Sequence, residues 1–74
     1  MNMKKEITVL KEARKRLKLT QTDIAKELGV SRMTITYYET NVMSPTARDM
    51  WRVAKAYQLS NDEIAIWIRQ ISED

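Results

Sequence analysis

Residues Gln21–Glu39 read QTDIAKELGVSRMTITYYE, and this stretch decides the fold. Ile24, Ala25 and Leu28 recur at the spacing of one helix face. Gly29, the only glycine in the chain, follows directly, where a left-handed residue closes a helix without a Cβ penalty. Ser31 then offers a hydroxyl to cap a second helix, whose Ile35 returns to the apolar side. The spacing predicts helices over 21–28 and 32–39 joined by a tight turn. Ile24, Ala25, Leu28, Val30 and Ile35 are expected to be buried, with small Ala25 where the two helices cross closely.

Working outward, the same start signal recurs. Thr20-x-x-Asp23, Thr46-x-x-Asp49 and Ser60-x-x-Glu63 each set a capping hydroxyl three residues before a carboxylate that suits the positive end of a helix. Pro45 closes a loop that begins near Thr40. Further helices are therefore expected near 4–17, 47–57 and 61–71, with no alternating strand pattern anywhere. At 100° per residue the buried stripes are Ile7, Leu10, Ala13 and Leu17; then Ala47, Met50, Val53, Ala54 and Tyr57; then Ile64, Trp67, Ile68 and Ile71. Helices this short do not persist alone, so the expectation is one all-α, five-helix domain over residues 1–74.

Composition removes most chemistry. With 0 Cys and 0 His there is no disulfide framework, no usual zinc spacing and no Cys- or His-based nucleophile, so no metal or cofactor is expected. Asp62-Glu63 and Glu73-Asp74 are adjacent carboxylates that point apart and lack a companion base, which argues against an enzyme. The longest apolar run, Ile64–Ile68, cannot span a bilayer, and the N-terminal lysines precede no apolar segment. A cytoplasmic module is expected, with no small-molecule ligand. The net charge of +3 says little, but its distribution says more: residues 1–18 hold seven positives against two negatives, and residues 58–74 hold one against four.

A bracing helix, a turn and a capped second helix form the layout in which the second helix enters the major groove of duplex DNA. The stretch from Leu10 to Ile64 resembles the Xre/Cro-type helix-turn-helix family of phage repressors and bacterial regulators. The likeness lies in Ala13-Arg14, Leu19-Thr20-Gln21, Ile24-Ala25, Leu28-Gly29-Val30-Ser31, Thr34-Ile35-Thr36, Tyr38-Glu39, Pro45, Met50, Ala54, Tyr57, Leu59-Ser60 and Asp62-Glu63-Ile64. That resemblance implies a five-helix, lambda-repressor-like DNA-binding domain acting as a homodimer on palindromic operators. It also implies backbone contacts from Gln21, Ser31, Thr40 and Asn41, with Gln21 bracing the recognition helix. Three departures stand out: Asn41 where glycine is usual, small Ala47 at the start of helix 4, and an apolar Val42-Met43 loop where basic residues are common.

With Ile35 and Tyr38 inward, Arg32, Met33, Thr36 and Tyr37 form the outer face of the second helix. Arg32 can be bidentate to guanine, and Met33 can pack on a thymine methyl. Thr36 suits a base or a phosphate, and Tyr37 a phosphate or a pyrimidine. Two anomalies point at each other: Arg14 sits on an apolar arc, and Glu39 sits at a helix C-terminus. A partly buried Arg14–Glu39 salt bridge is expected. Val42, Met43, Trp51, Ile66 and Trp67 exceed what one small core obviously needs, so they either fill it or form an interface. The expected partner is double-stranded operator DNA, with a second copy of the chain. Competing readings are an anti-repressor that binds a partner repressor protein, and an antitoxin. The absence of a sensor segment fits a Cro-like control protein.

Overall fold

The computed structural model describes residues 6–72 and runs through five helices: α1 (Thr8–Arg16), α2 (Gln21–Leu28), α3 (Arg32–Glu39), α4 (Ala47–Ala56) and α5 (Asn61–Ser72). Among the described residues there is no strand. The start signals act as their chemistry dictates. Thr20 and Asp23 form a reciprocal capping box: Asp23 N–H donates to the Thr20 hydroxyl at 3.0 Å, and Thr20 N–H donates to the Asp23 carboxylate at 2.8 Å. Ser31 and Thr46 cap α3 and α4 through the amides of Thr34 and Asp49. Ser60 and Glu63 exchange the same pair of bonds at the start of α5.

Helix ends follow one plan, although only one of them has a glycine. Lys18, Gly29, Asn41 and Gln58 all take positive φ, between 54° and 72°. After each, an amide folds back onto a carbonyl five residues earlier: Leu19 to Arg14, Val30 to Ala25, Val42 to Tyr37, and Leu59 to Ala54. Asn41 thus adopts the left-handed turn in place of the usual glycine, a conformation asparagine tolerates better than other non-glycine residues.

α1 starts later than expected. A start at residue 4 falls partly outside the described residues, and Glu6 and Ile7 precede the helix. Ile7 N–H instead donates to the carbonyl of Glu39 at 2.8 Å, tying the segment that leads into α1 to the end of α3. Ile7 is the N-cap residue of α1, and its apolar side chain offers the helix no capping hydrogen bond. Gln70 of α5 takes over, its Oε1 accepting from Val9 N–H at 3.1 Å and its Nε2 donating to the Thr8 hydroxyl at 2.7 Å.

The core gathers Ile7, Leu10 and Ala13 of the first segment, Ile24, Ala25 and Leu28 of α2, Ile35 and Tyr38 of α3, and Val53, Ala54, Ala56 and Tyr57 of α4. Trp67 of α5 is completely buried. It is therefore a core residue and not the interface residue its surplus suggested. Its indole N–H has no hydrogen-bond partner among the described residues. α5 is also rotated relative to its expected stripe. Arg16 Nη1 holds Glu63 at 2.8 Å while Gln70 holds Thr8 and Val9, so the edge carrying residues 63 and 70 turns toward α1. Ile68 is turned out and is 50% exposed, whereas Ile66, expected outside as an interface candidate, packs half-buried against the core. Ala47 is exposed because it opens α4 one turn before that helix reaches the core, and Val30 is exposed in the turn that its amide closes.

Candidate nucleic-acid interface

α2 and α3 make the most extensive helix–helix contact in the molecule, and α3 presents the outer face. Ile35 and Tyr38 point inward, while Arg32, Met33 and Tyr37 are exposed and Thr36 is half-buried. The expected base-contacting side chains therefore share one surface. Val42 and Met43 in the following loop, 51% and 45% exposed, and Trp51 at 64%, are open to solvent.

Beneath that face lies a hydrogen-bonded cluster centred on Glu39, which is 1% exposed. Arg14 grips it with two bonds, Nε to Oε2 at 2.8 Å and Nη2 to Oε1 at 2.9 Å, and its Nη1 donates to the carbonyl of Leu19 at 3.2 Å. The Tyr57 hydroxyl donates to Oε2 at 2.7 Å, and Gln21 Nε2 donates to Oε1 at 3.1 Å. Burial pushes the Glu39 carboxyl up, but the hydrogen bonds from Arg14, Tyr57 and Gln21 outweigh it and hold the group below its ordinary range. Burial and the adjacent carboxylate drive the Tyr57 phenol far above its own range, so it remains a donor.

Gln21 connects this cluster to the surface. Its Oε1 accepts from the Thr36 hydroxyl at 2.9 Å and from Arg32 Nη1 at 3.3 Å. One side chain at the start of α2 thereby touches the buried ion pair and two residues of the outer face. Among the expected phosphate partners, Ser31 accepts the Thr34 amide as the cap of α3 and lies 3.1 Å from the Thr34 hydroxyl. Thr40 donates both its amide and its hydroxyl to the carbonyl of Thr36, at 3.0 and 2.8 Å. Asn41 stands half-buried beside it.

Sequence reasoning pairs Arg14 with Glu39 but misses Tyr57, whose hydropathy reads simply as core. The available signal is chemical: a tyrosine on a buried stripe needs a partner for its hydroxyl, and Glu39 is the acceptor at hand. Arg52 is missed as well; its Nη2 donates to the carbonyl of Leu28 at 3.1 Å, satisfying the end of α2 from α4.

A bracing helix, a left-handed glycine turn and a capped helix with a solvent-facing polar side define a helix-turn-helix domain. The chain belongs to the Xre/Cro-like helix-turn-helix family, whose sequence profile matches residues 10–64. It is 30% identical over 60 residues to an uncharacterized HTH-type transcriptional regulator of Archaeoglobus fulgidus, covering 81% of this chain and 84% of that protein. It is 39% identical over 49 residues to another such regulator from Methanocaldococcus jannaschii, covering 66% of this chain and 74% of that one. No solved structure gives a significant match. No helix among the described residues is long and apolar enough to cross a membrane.

Proposed function

We propose that this protein is a sequence-specific DNA-binding transcriptional regulator of Cro-like type, acting in the cytoplasm by inserting α3 in the major groove of an operator. The observation that carries the reading is the Gln21 junction, which holds Arg32 and Thr36 on the exposed side of a helix-turn-helix. Arg32 has five N–H donors, of which Gln21 engages one, and the remainder suit the O6 and N7 acceptors of guanine. Met33 packs on a thymine methyl and Tyr37 contacts a phosphate or a pyrimidine. Gln21 and Ser31 position the backbone: Gln21 retains a second amide proton, and Ser31 is free to donate outward when Thr34 is the donor of the bond between their hydroxyls. Asn41 serves the other end of α3, where Thr40 must release the Thr36 carbonyl before it reaches a phosphate.

The chain works as a homodimer, so that two copies of α3 meet successive turns of a palindromic site. Val42, Met43 and Trp51, joined by Ile68, are the apolar residues available for that contact. The test is a binding titration against operator candidates and random duplexes at several salt concentrations. Tight binding to one site, weakened by roughly 1–3 kcal/mol in Arg32→Ala with loss of discrimination, is the expected result. A salt-dependent affinity that is the same for every duplex would leave only electrostatic attraction and defeat the proposal.

A further inference from the structure

The direction of the Thr36 hydrogen bond on the outer face of α3 is dictated from inside the protein. An ionised carboxylate only accepts, and Glu39 is kept ionised by the two-bond grip of Arg14. The carboxamide of Gln21 has one donating and one accepting end, and its donating end must turn to Glu39, 3.1 Å away. Its accepting end is thereby committed to α3. There Oε1 has two lone pairs and two suitors, the Thr36 hydroxyl at 2.9 Å and Arg32 Nη1 at 3.3 Å.

Thr36 has a single hydroxyl proton. Besides Gln21 Oε1, its other neighbour is the carbonyl of Arg32 at 3.3 Å, which also only accepts. The shorter contact, to Gln21, takes the proton and keeps it within the protein. Toward solvent Thr36 turns lone pairs and a methyl group, whereas Arg32 turns N–H groups. The two residues are one helical turn apart, on the order of 6 Å along the axis, so they meet neighbouring base pairs.

We infer that Thr36 reads the major groove as a hydrogen-bond acceptor, selecting a base that presents an exocyclic amino group, adenine N6 or cytosine N4, next to the guanine taken by Arg32. The buried Glu39 carboxylate sets this preference through Gln21, which makes Gln21 a specificity-determining residue as well as a brace. This inference rests on the proposed reading of DNA by α3, and it goes further in assigning the polarity of one contact.

Two measurements separate the parts. In the free protein, NMR of the hydroxyl protons should find the Thr36 proton protected from solvent exchange in wild type and clearly less protected in Gln21→Ala, where only the longer contact to the Arg32 carbonyl remains. A Thr36 hydroxyl that exchanges freely in wild type overturns the inference whatever the protein does with DNA. The second measurement begins with in vitro selection of binding sites by the full chain. The Thr36 base is the position whose selected identity changes in Thr36→Val, a variant that keeps shape and removes the hydroxyl. Replacing that base with its analogue lacking the amino group, purine for adenine or 2-pyrimidinone for cytosine, should weaken wild type about 3- to 10-fold, the loss of one neutral hydrogen bond. It should leave Thr36→Val unchanged. Thr36→Ser should keep the preference, and Gln21→Ala, with its fold verified by thermal melting, should accept keto bases there. Equal loss in wild type and Thr36→Val, or hydroxyl-dependent selection of guanine or thymine, overturns the assignment while leaving DNA reading intact. Failure of wild type to select any site defeats the functional proposal itself, and the inference with it.

Discussion

Replacing Glu39 with glutamine preserves shape and removes the charge from the one buried ionised side chain among the described residues. In the native structure both carboxylate oxygens are fully engaged: Oε1 by Arg14 and Gln21, at 2.9 and 3.1 Å, and Oε2 by Arg14 and Tyr57, at 2.8 and 2.7 Å. Whichever way a glutamine amide turns, its NH2 meets an Arg14 N–H that cannot accept. Removing one member of a buried pair costs about 3–5 kcal/mol, and retention of shape places Glu39→Gln near the lower figure. A domain of this size has roughly 4–11 kcal/mol of stability in total, so the variant should still fold. Glu39→Ala adds a cavity and an orphaned Tyr57 hydroxyl, the latter alone about 1–3 kcal/mol, and should be close to unfolding.

Urea denaturation checks this directly. With a slope of ~1 kcal/mol/M for so small a chain, the midpoint of Glu39→Gln should fall by about 3 M at pH 7. The acid side gives the sign. The folded Glu39 carboxyl lies below its ordinary value, so the unfolded chain binds the proton first; the stability it contributes is full above the unfolded value and is lost as pH falls through the folded one. The gap between wild type and Glu39→Gln should therefore close on acidification. A gap under ~1 kcal/mol at pH 7, or one that stays constant into acid, would refute the account of Glu39 as the ionised hub of this cluster.

Lys18→Gly and Gln58→Gly, at φ of 60° and 54°, should each stabilise the protein by roughly 0.5–1 kcal/mol, because a left-handed side chain costs about 1–2 kcal/mol and glycine recovers part of it. Thermal melts check this, and a loss of stability in both would refute the assignment of these helix ends. Thr20→Ala removes the hydroxyl half of a reciprocal capping box and should cost about 1 kcal/mol by chemical denaturation, more than Thr46→Ala, where the cap bond is longer at 3.3 Å. Trp51→Lys should leave the melting temperature nearly unchanged, since the side chain is 64% exposed, and should shift the molecular mass in multi-angle light scattering from dimer to monomer. A wild-type chain that is strictly monomeric with and without operator would remove the homodimer from the functional proposal.

Much of this protein was legible without coordinates, for local reasons. Hydroxyl–carboxylate pairs three residues apart, a lone glycine and the period of the apolar residues act within one or two turns of chain, so α2 to α5 fall where their signals lie. The Arg14–Glu39 pair was readable because each residue was anomalous in its own helix. What lay beyond one helix was decided by packing. The late start of α1 depends on Glu39 and Gln70, residues far along the chain that take or supply its hydrogen bonds. The roll of α5, which buries Trp67 and exposes Ile68, depends on Arg16 and Thr8 across the interface. The same holds for function. The sequence by itself determined which side chains stand on the outer face of α3, since helical period alone separates them from Ile35 and Tyr38. Only the tertiary structure decided which way the Thr36 proton points, because that direction is passed from a buried carboxylate through Gln21, and a hydrogen bond's polarity belongs to both partners rather than to either residue.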